Sequence, residues 1–209
     1  MDSETSDAAL KGPSVPHLPE GEITLVKFVI VGPLGVGKTT MIRSLSDYEP
    51  LTTDEPMTQA GEHIDKLRRM GKTETTVAMD FGRITLQPDL IAYLFGAPSQ
   101  QRFQPLWDDM TGGALGAVVL ADTQRLEDSF QAMDRLEAHG LPYVVAVNEF
   151  DGNEHYPAEE LKEAFQLDPD TPLLPCDARE RTSSRDALVS LVLHLQDRNR
   201  RPSALQETP

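Results

Sequence analysis

Gly32-Pro33-Leu34-Gly35-Val36-Gly37-Lys38-Thr39 constrains this chain more than any other stretch, because it fits the pattern G-x-x-x-x-G-K-[ST]. Glycines let the backbone turn tightly enough for successive N–H groups to point inward at an anion. The amides of Gly35, Val36, Gly37, Lys38, Thr39 and Thr40 are therefore candidate phosphate donors, reinforced by the positive N-terminal end of a following helix. Lys38 can reach the β- and γ-phosphates of a nucleotide as a mobile point charge, and the Thr39 hydroxyl can ligate Mg²⁺, a hard cation that wants oxygen. The flanks supply the setting the pattern requires. Residues 23–31, ITLVKFVIV, are apolar and β-branched like a buried strand, and residues 40–45 read as a helix start.

Alternation of strand and helix patterns continues through the body. Strands are expected at 75–86, 90–95, 115–121, 142–147 and 172–176. Helices are expected at 127–139, 157–166 and 183–196, the last with Ser183 or Ser184 as N-cap. Gln87-Pro88-Asp89 is too short a link for anything but an antiparallel pair. The expectation is an α/β fold, a mostly parallel six-stranded sheet with one antiparallel strand and helices on both faces. Residues 1–22 read as a disordered acidic tail, 23–197 as one domain, and 198–209 as a second tail whose Arg198, Arg200 and Arg201 suit a solvated helix end.

Composition removes several function classes. A net charge of −15 repels nucleic-acid phosphates, so no nucleic-acid role is expected. No apolar run approaches the roughly 20 residues that span a bilayer, and no secretory or lipidation signal is visible. The one cysteine, Cys176, cannot form an internal disulfide; it reads as a small core residue of a cytoplasmic protein, with any membrane placement supplied by a partner.

Later motifs narrow the class. Asn148-Glu149-Phe150-Asp151 directly follows a strand. An aspartate at 151 can accept two hydrogen bonds from the N1–H and 2-amino group of guanine, donors that adenine lacks there. Cys176-Asp177-Ala178-Arg179 follows the next strand, VAMDFGRI spans 77–84, and YLFGAPSQQRF spans 93–103. Taken together over residues 23–197, these resemble the small Ras-like GTPases. The likeness is strongest to the bacterial branch, the gliding-polarity GTPases and the conservon-encoded ATP/GTP-binding proteins of actinomycetes. The resemblance implies the small GTPase fold, GTP and GDP binding, Mg²⁺ and slow hydrolysis. It also implies signalling with a Roadblock-type regulator and a sensor-kinase-like protein. It places Asn148 and Asp151 in the N-K-x-D box, Ala178 and Arg179 in the S-A-K box with the Ala178 N–H on guanine O6, Thr76 on Mg²⁺, and Gln100 on the attacking water.

Three departures keep a second reading open. Gly96 stands where relatives carry the Asp of D-x-x-G, which leaves the cation to Thr39 and the phosphates unless Asp80 reaches in. Ser99 replaces a glycine, and Glu149 puts a carboxylate where lysine is usual. The insertion between Thr39 and Thr76 holds Arg68 and Arg69, either an internal arginine finger or a solvated helix end. A nucleotide-holding scaffold without useful turnover is the runner-up, and a P-loop ATPase the third possibility.

Overall fold

The computed structural model describes residues 23–52, 80–98, 105–150 and 154–200. Within these, the elements run β1 (Thr24–Val31), α1 (Lys38–Leu45), β2 (Leu51–Thr52), β3 (Asp80–Gln87), β4 (Leu90–Gly96), α2 (Pro105–Thr111), β5 (Gly116–Ala121), a 3₁₀ turn (Thr123–Arg125), α3 (Glu127–Ala138), β6 (Tyr143–Asn148), α4 (Ala158–Ala164), β7 (Leu173–Cys176) and α5 (Arg181–Arg200). The sheet order is β2-β3-β4-β1-β5-β6-β7. Six strands form the expected sheet, and the two-residue β2 extends its edge. Strand β3 pairs antiparallel with β4, β2 antiparallel with β3, and β1 lies parallel to both β4 and β5.

Helices cover both faces because successive strand residues point to opposite sides. Phe28, Ile30, Val118, Leu120, Val144 and Ala146 face α1 and α5, where Ile42, Leu45, Leu188 and Leu191 close a first core. Val29, Val31, Val119, Val145 and Val147 face the other way, onto Trp107, Met133, Leu136 and Leu161 of α2, α3 and α4. Strands β5 and β6 are buried throughout, which is why they read as continuous apolar runs without alternation. Each such Leu, Ile or Val contributes roughly 1.5–3 kcal/mol on leaving water.

Some boundaries differ from the sequence reading. Helix α2 was not expected at all; Pro105 opens it, the indole N–H of Trp107 donates to the Pro98 carbonyl at 3.3 Å, and the Arg135 guanidinium stacks on the ring. Helix α5 starts at Arg181, two residues before the expected Ser183, so neither serine is its N-cap. Ser183 accepts from the Asp177 N–H, and the buried Ser184 hydroxyl meets Ser44 and the Ala178 carbonyl. The helix also runs four residues past its expected end at 196, which puts Arg198 and Arg200 in its last turn, where cations oppose the negative end of the helix dipole. Arg181 meets the carboxyl end of α1, donating to the carbonyls of Ser44 and Ser46 and to the Asp47 carboxylate. No helix among the described residues is long and apolar enough to cross a membrane.

Candidate functional site

Strand β1 feeds the loop 32–37 at the point where the sheet order reverses, with β4 on one side and β5 on the other. Open α/β sheets bind ligands at the carboxyl ends of the strands beside such a point. The loop glycines are there for distinct reasons. Gly32 has φ 141°, and a Cβ on it would lie 2.3 Å from the Leu120 carbonyl oxygen; Gly37 has φ 106°, and a Cβ on it would lie 2.9 Å from Asn148 Nδ2. Both positions are closed to other residues by neighbours as well as by backbone geometry. Gly37 caps α1 in the left-handed conformation with no side-chain bond to the first helical turn, which leaves those amides open to an anion.

Lys38 folds back over the loop, donating to the carbonyls of Gly32 at 2.9 Å and Pro33 at 2.8 Å. Burial pushes its ammonium down to about 8 from an ordinary 10.5, and the Asp80 carboxylate nearby opposes that shift. Thr39 Oγ1 donates to Asp80 Oδ2 at 2.5 Å. Asp80 opens β3 and sits opposite Gly96 in the antiparallel register. A Cβ at residue 96 would crowd both Asp80 Cβ at 3.0 Å and its Oδ2 at 3.1 Å. The glycine that removes the expected carboxylate from β4 therefore makes room for one from β3, and Asp80 reaches Thr39. A hydroxyl and a carboxylate oxygen converging beneath the loop are the hard, oxygen-only donor set that Mg²⁺ prefers. Among the described residues no cluster of three or more acidic, His or Cys ligands exists.

Asn148 ends β6 and is 5% exposed. Its Nδ2 donates to the Val36 carbonyl at 2.9 Å, and its Oδ1 accepts from the Ala178 N–H at 2.9 Å. One side chain thus ties the phosphate loop to the loop after β7. The Ala178 amide is engaged with Asn148 in this arrangement. Arg179 closes on Asp177, with Nε and Nη2 each 2.9 Å from a carboxylate oxygen, and these bonds hold the Asp177 carboxyl below its ordinary range. Glu149 lies 3.7 Å from His155 Nδ1 with its side chain 44% exposed, so water screens its charge.

Sequence reasoning missed Arg125. Its Nη2 donates to the carbonyl of Leu34, at the tip of the phosphate loop, at 3.3 Å, while Nε pairs with the nearly buried Asp122 at 3.2 Å. Asp122 in turn caps the 3₁₀ turn by accepting from the Gln124 N–H. An Asp-x-x-Arg at the end of a buried strand was the available signal. Thr76, Ser99, Gln100, Asp151, Arg68 and Arg69 lie outside the described residues.

Comparison with known proteins agrees with this geometry. A family model described as conserved hypothetical ATP binding protein matches residues 30–198. No curated protein matches the sequence. The cytosolic domain of the T. maritima FeoB iron transporter is similar in fold, with a TM-score of 0.59 in both its apo form and its GDP form I. Identity is 16% and 17%, over 83% and 84% of this chain and 65% of that domain in each case, so this chain spans just under two thirds of its length. The G domain of the same transporter gives a TM-score of 0.57 at 16% identity, covering 82% of this chain and 99% of that one. At such identities the likeness is one of fold, that of a P-loop GTPase-like domain.

Proposed function

The chain belongs to the family of conserved hypothetical ATP binding proteins, and from that premise we propose that it is a guanine-nucleotide switch that binds GTP and GDP with Mg²⁺ and hydrolyses GTP slowly. The observation that carries the reading is Asn148, whose two bonds make the phosphate loop and the loops after β6 and β7 one rigid receptor. The neighbouring transporter's domain binds GDP by its own description, and Asp151 is the residue that would choose guanine here. The proposal extends to signalling in the cytoplasm with a Roadblock-type regulator and a sensor-kinase-like protein, as in the conservon and gliding-polarity groups.

The residues divide the work as follows. The loop amides and Lys38 hold the β- and γ-phosphates and neutralise charge that grows as the terminal phosphate leaves. Thr39 and Asp80, with Thr76, would hold Mg²⁺, which when bound draws electron density from the phosphate oxygens. Gln100 orients the water for in-line attack. Arg125, fixed by Asp122, keeps the loop tip from opening. Two of the three departures from the resemblance lose their force: Asp80 supplies the carboxylate missing at Gly96, and the Glu149 charge is turned to water.

Competition separates guanine from adenine. Asp151→Asn is expected to lower GDP affinity at least about 100-fold and to favour xanthine nucleotides, because a pairing group left unmatched in a binding site rejects strongly. ATP competing as well as GTP for the unmodified protein would sink the guanine assignment in favour of an ATPase. Single-turnover release of labelled phosphate then tests the switch: release lost in Gln100→Leu supports hydrolysis, and no release even with the regulator present would leave the scaffold. Asp80→Ala should cost on the order of 10-fold in GDP affinity with Mg²⁺ and almost nothing in EDTA. An equal loss in both conditions would show that Asp80 acts on the fold and not on the cation.

A further inference from the structure

At the end of the sheet opposite the phosphate loop lies a groove of about 1250 Å³, formed where β6 and β7 begin and α5 passes. Its α5 wall carries Asp186, Val189, Leu193 and Asp197, spaced so that all four fall on one face of the helix. Val189 is 45% exposed and Leu193 is 55% exposed. Such residues on a long, well-packed helix keep an apolar stripe in water, with a carboxylate at each end. Across the groove stand Glu137, Asp168 and Asp170, all exposed, and among the described residues the only Lys or Arg lining it is Arg198. The Tyr143 phenol donates to Glu137 at 2.7 Å. It is held well above its ordinary range, first by burial, then by Glu137, with Asp168 and Asp134 adding to the effect.

We infer that this groove is a docking site for a basic, amphipathic segment of a partner protein, with two apolar side chains one helical turn apart seated on Val189 and Leu193 and Lys or Arg on either side of them. Charge decides among occupants. A second copy of this chain brings a net −15 against the same sign. The chain's own first 22 residues carry Asp2, Glu4, Asp7, Glu20 and Glu22 against Lys11, and are repelled likewise. Residues 201–209 hold one Arg and one Glu and offer no basic block. A basic partner gains from the carboxylates of Asp186, Asp197, Glu137, Asp168 and Asp170 that line the groove, and its apolar anchors gain by covering the stripe. The groove lies away from the phosphate loop, so the inference stands whether or not the proposed nucleotide switch is correct.

The test uses the full chain and a fluorescent helical peptide with two leucines one turn apart between lysine pairs, followed by anisotropy at several salt concentrations. Binding to the unmodified protein should weaken as salt rises, and the double variant Val189→Ser/Leu193→Ser should lower affinity about 10-fold or more, because two apolar anchors are lost. Asp186→Asn/Asp197→Asn should lower affinity and flatten the salt dependence. These side chains are exposed, so the variants are expected to keep the unmodified unfolding curve. Equal binding of the peptide to the serine double variant would mean general attraction to an acidic protein and would overturn the inference. Equal binding of a peptide with glutamate in place of lysine would also overturn it, as would a dimer of the unmodified chain that Leu193→Ser dissolves.

Discussion

Replacing Asn148 by alanine should lower the unfolding free energy by about 3 kcal/mol and nucleotide affinity by at least about 100-fold. The first number follows from two buried main-chain groups left without partners. The Val36 carbonyl loses its donor and the Ala178 N–H loses its acceptor, at about 1–3 kcal/mol each. Water cannot easily repair the loss, since the site of Asn148 is nearly closed to solvent. The second number follows from geometry. With the tie gone the phosphate loop and the loop after β7 move independently, and a ligand must order them at its own expense. Urea unfolding with GDP titrations on the same preparation measures both. An unchanged midpoint with unchanged affinity would mean that the tie is redundant and that the receptor is held rigid elsewhere.

The sequence made the phosphate loop legible because its constraint is local. A strand must deliver the chain, glycines must turn it, and lysine and threonine must follow at fixed spacing. The strands were legible for a related reason: those of the sheet centre are apolar on both faces, and those at its β3–β4 edge are joined by a turn too short for a crossover. The Asp80–Thr39 pair was left open because it depends on register. Only the pairing of Asp80 with Gly96 across β3 and β4 shows that one residue's missing side chain is the other's space. Arg125 went unread because its partners, Asp122 and the Leu34 carbonyl, are respectively close in sequence and 91 residues away. Helix α2 was missed because seven residues opening with Pro105 give too short a period to see, and its anchor is a tertiary contact from Trp107 to Pro98. The serines of α5 misled for the opposite reason: Ser183 looks like a cap in sequence, yet the helix begins earlier and spends that hydroxyl on Asp177.

Lys38→Met should abolish tight nucleotide binding, by at least about 100-fold, while leaving the nucleotide-free protein slightly more stable. The ammonium is held in a place that disfavours charge: its fall from 10.5 to about 8 corresponds to a folded-state cost of about 3 kcal/mol at neutral pH. Its two bonds to loop carbonyls return roughly 1 kcal/mol each, so the variant gains about 1 kcal/mol. Loss of a buried charge partner for phosphate costs the complex 2–5 kcal/mol. The same shift fixes two pH dependences of opposite sign. Below about pH 8 lysine is charged in both folded and unfolded chains, and its cost to the fold is complete. Between about 8 and 10.5 the unfolded chain holds the proton that the folded chain has released, so this residue's contribution to stability rises with pH. Binding needs the charged form, so affinity falls over that range and each binding event takes up a proton, about half of one at pH 8. Calorimetry in two buffers of different ionisation enthalpy measures the uptake, and Lys38→Met should show none at that pH. Binding at pH 8 with no proton uptake in the unmodified protein would mean that Lys38 is fully charged before the nucleotide arrives, and the stored cost that a phosphate relieves would not exist.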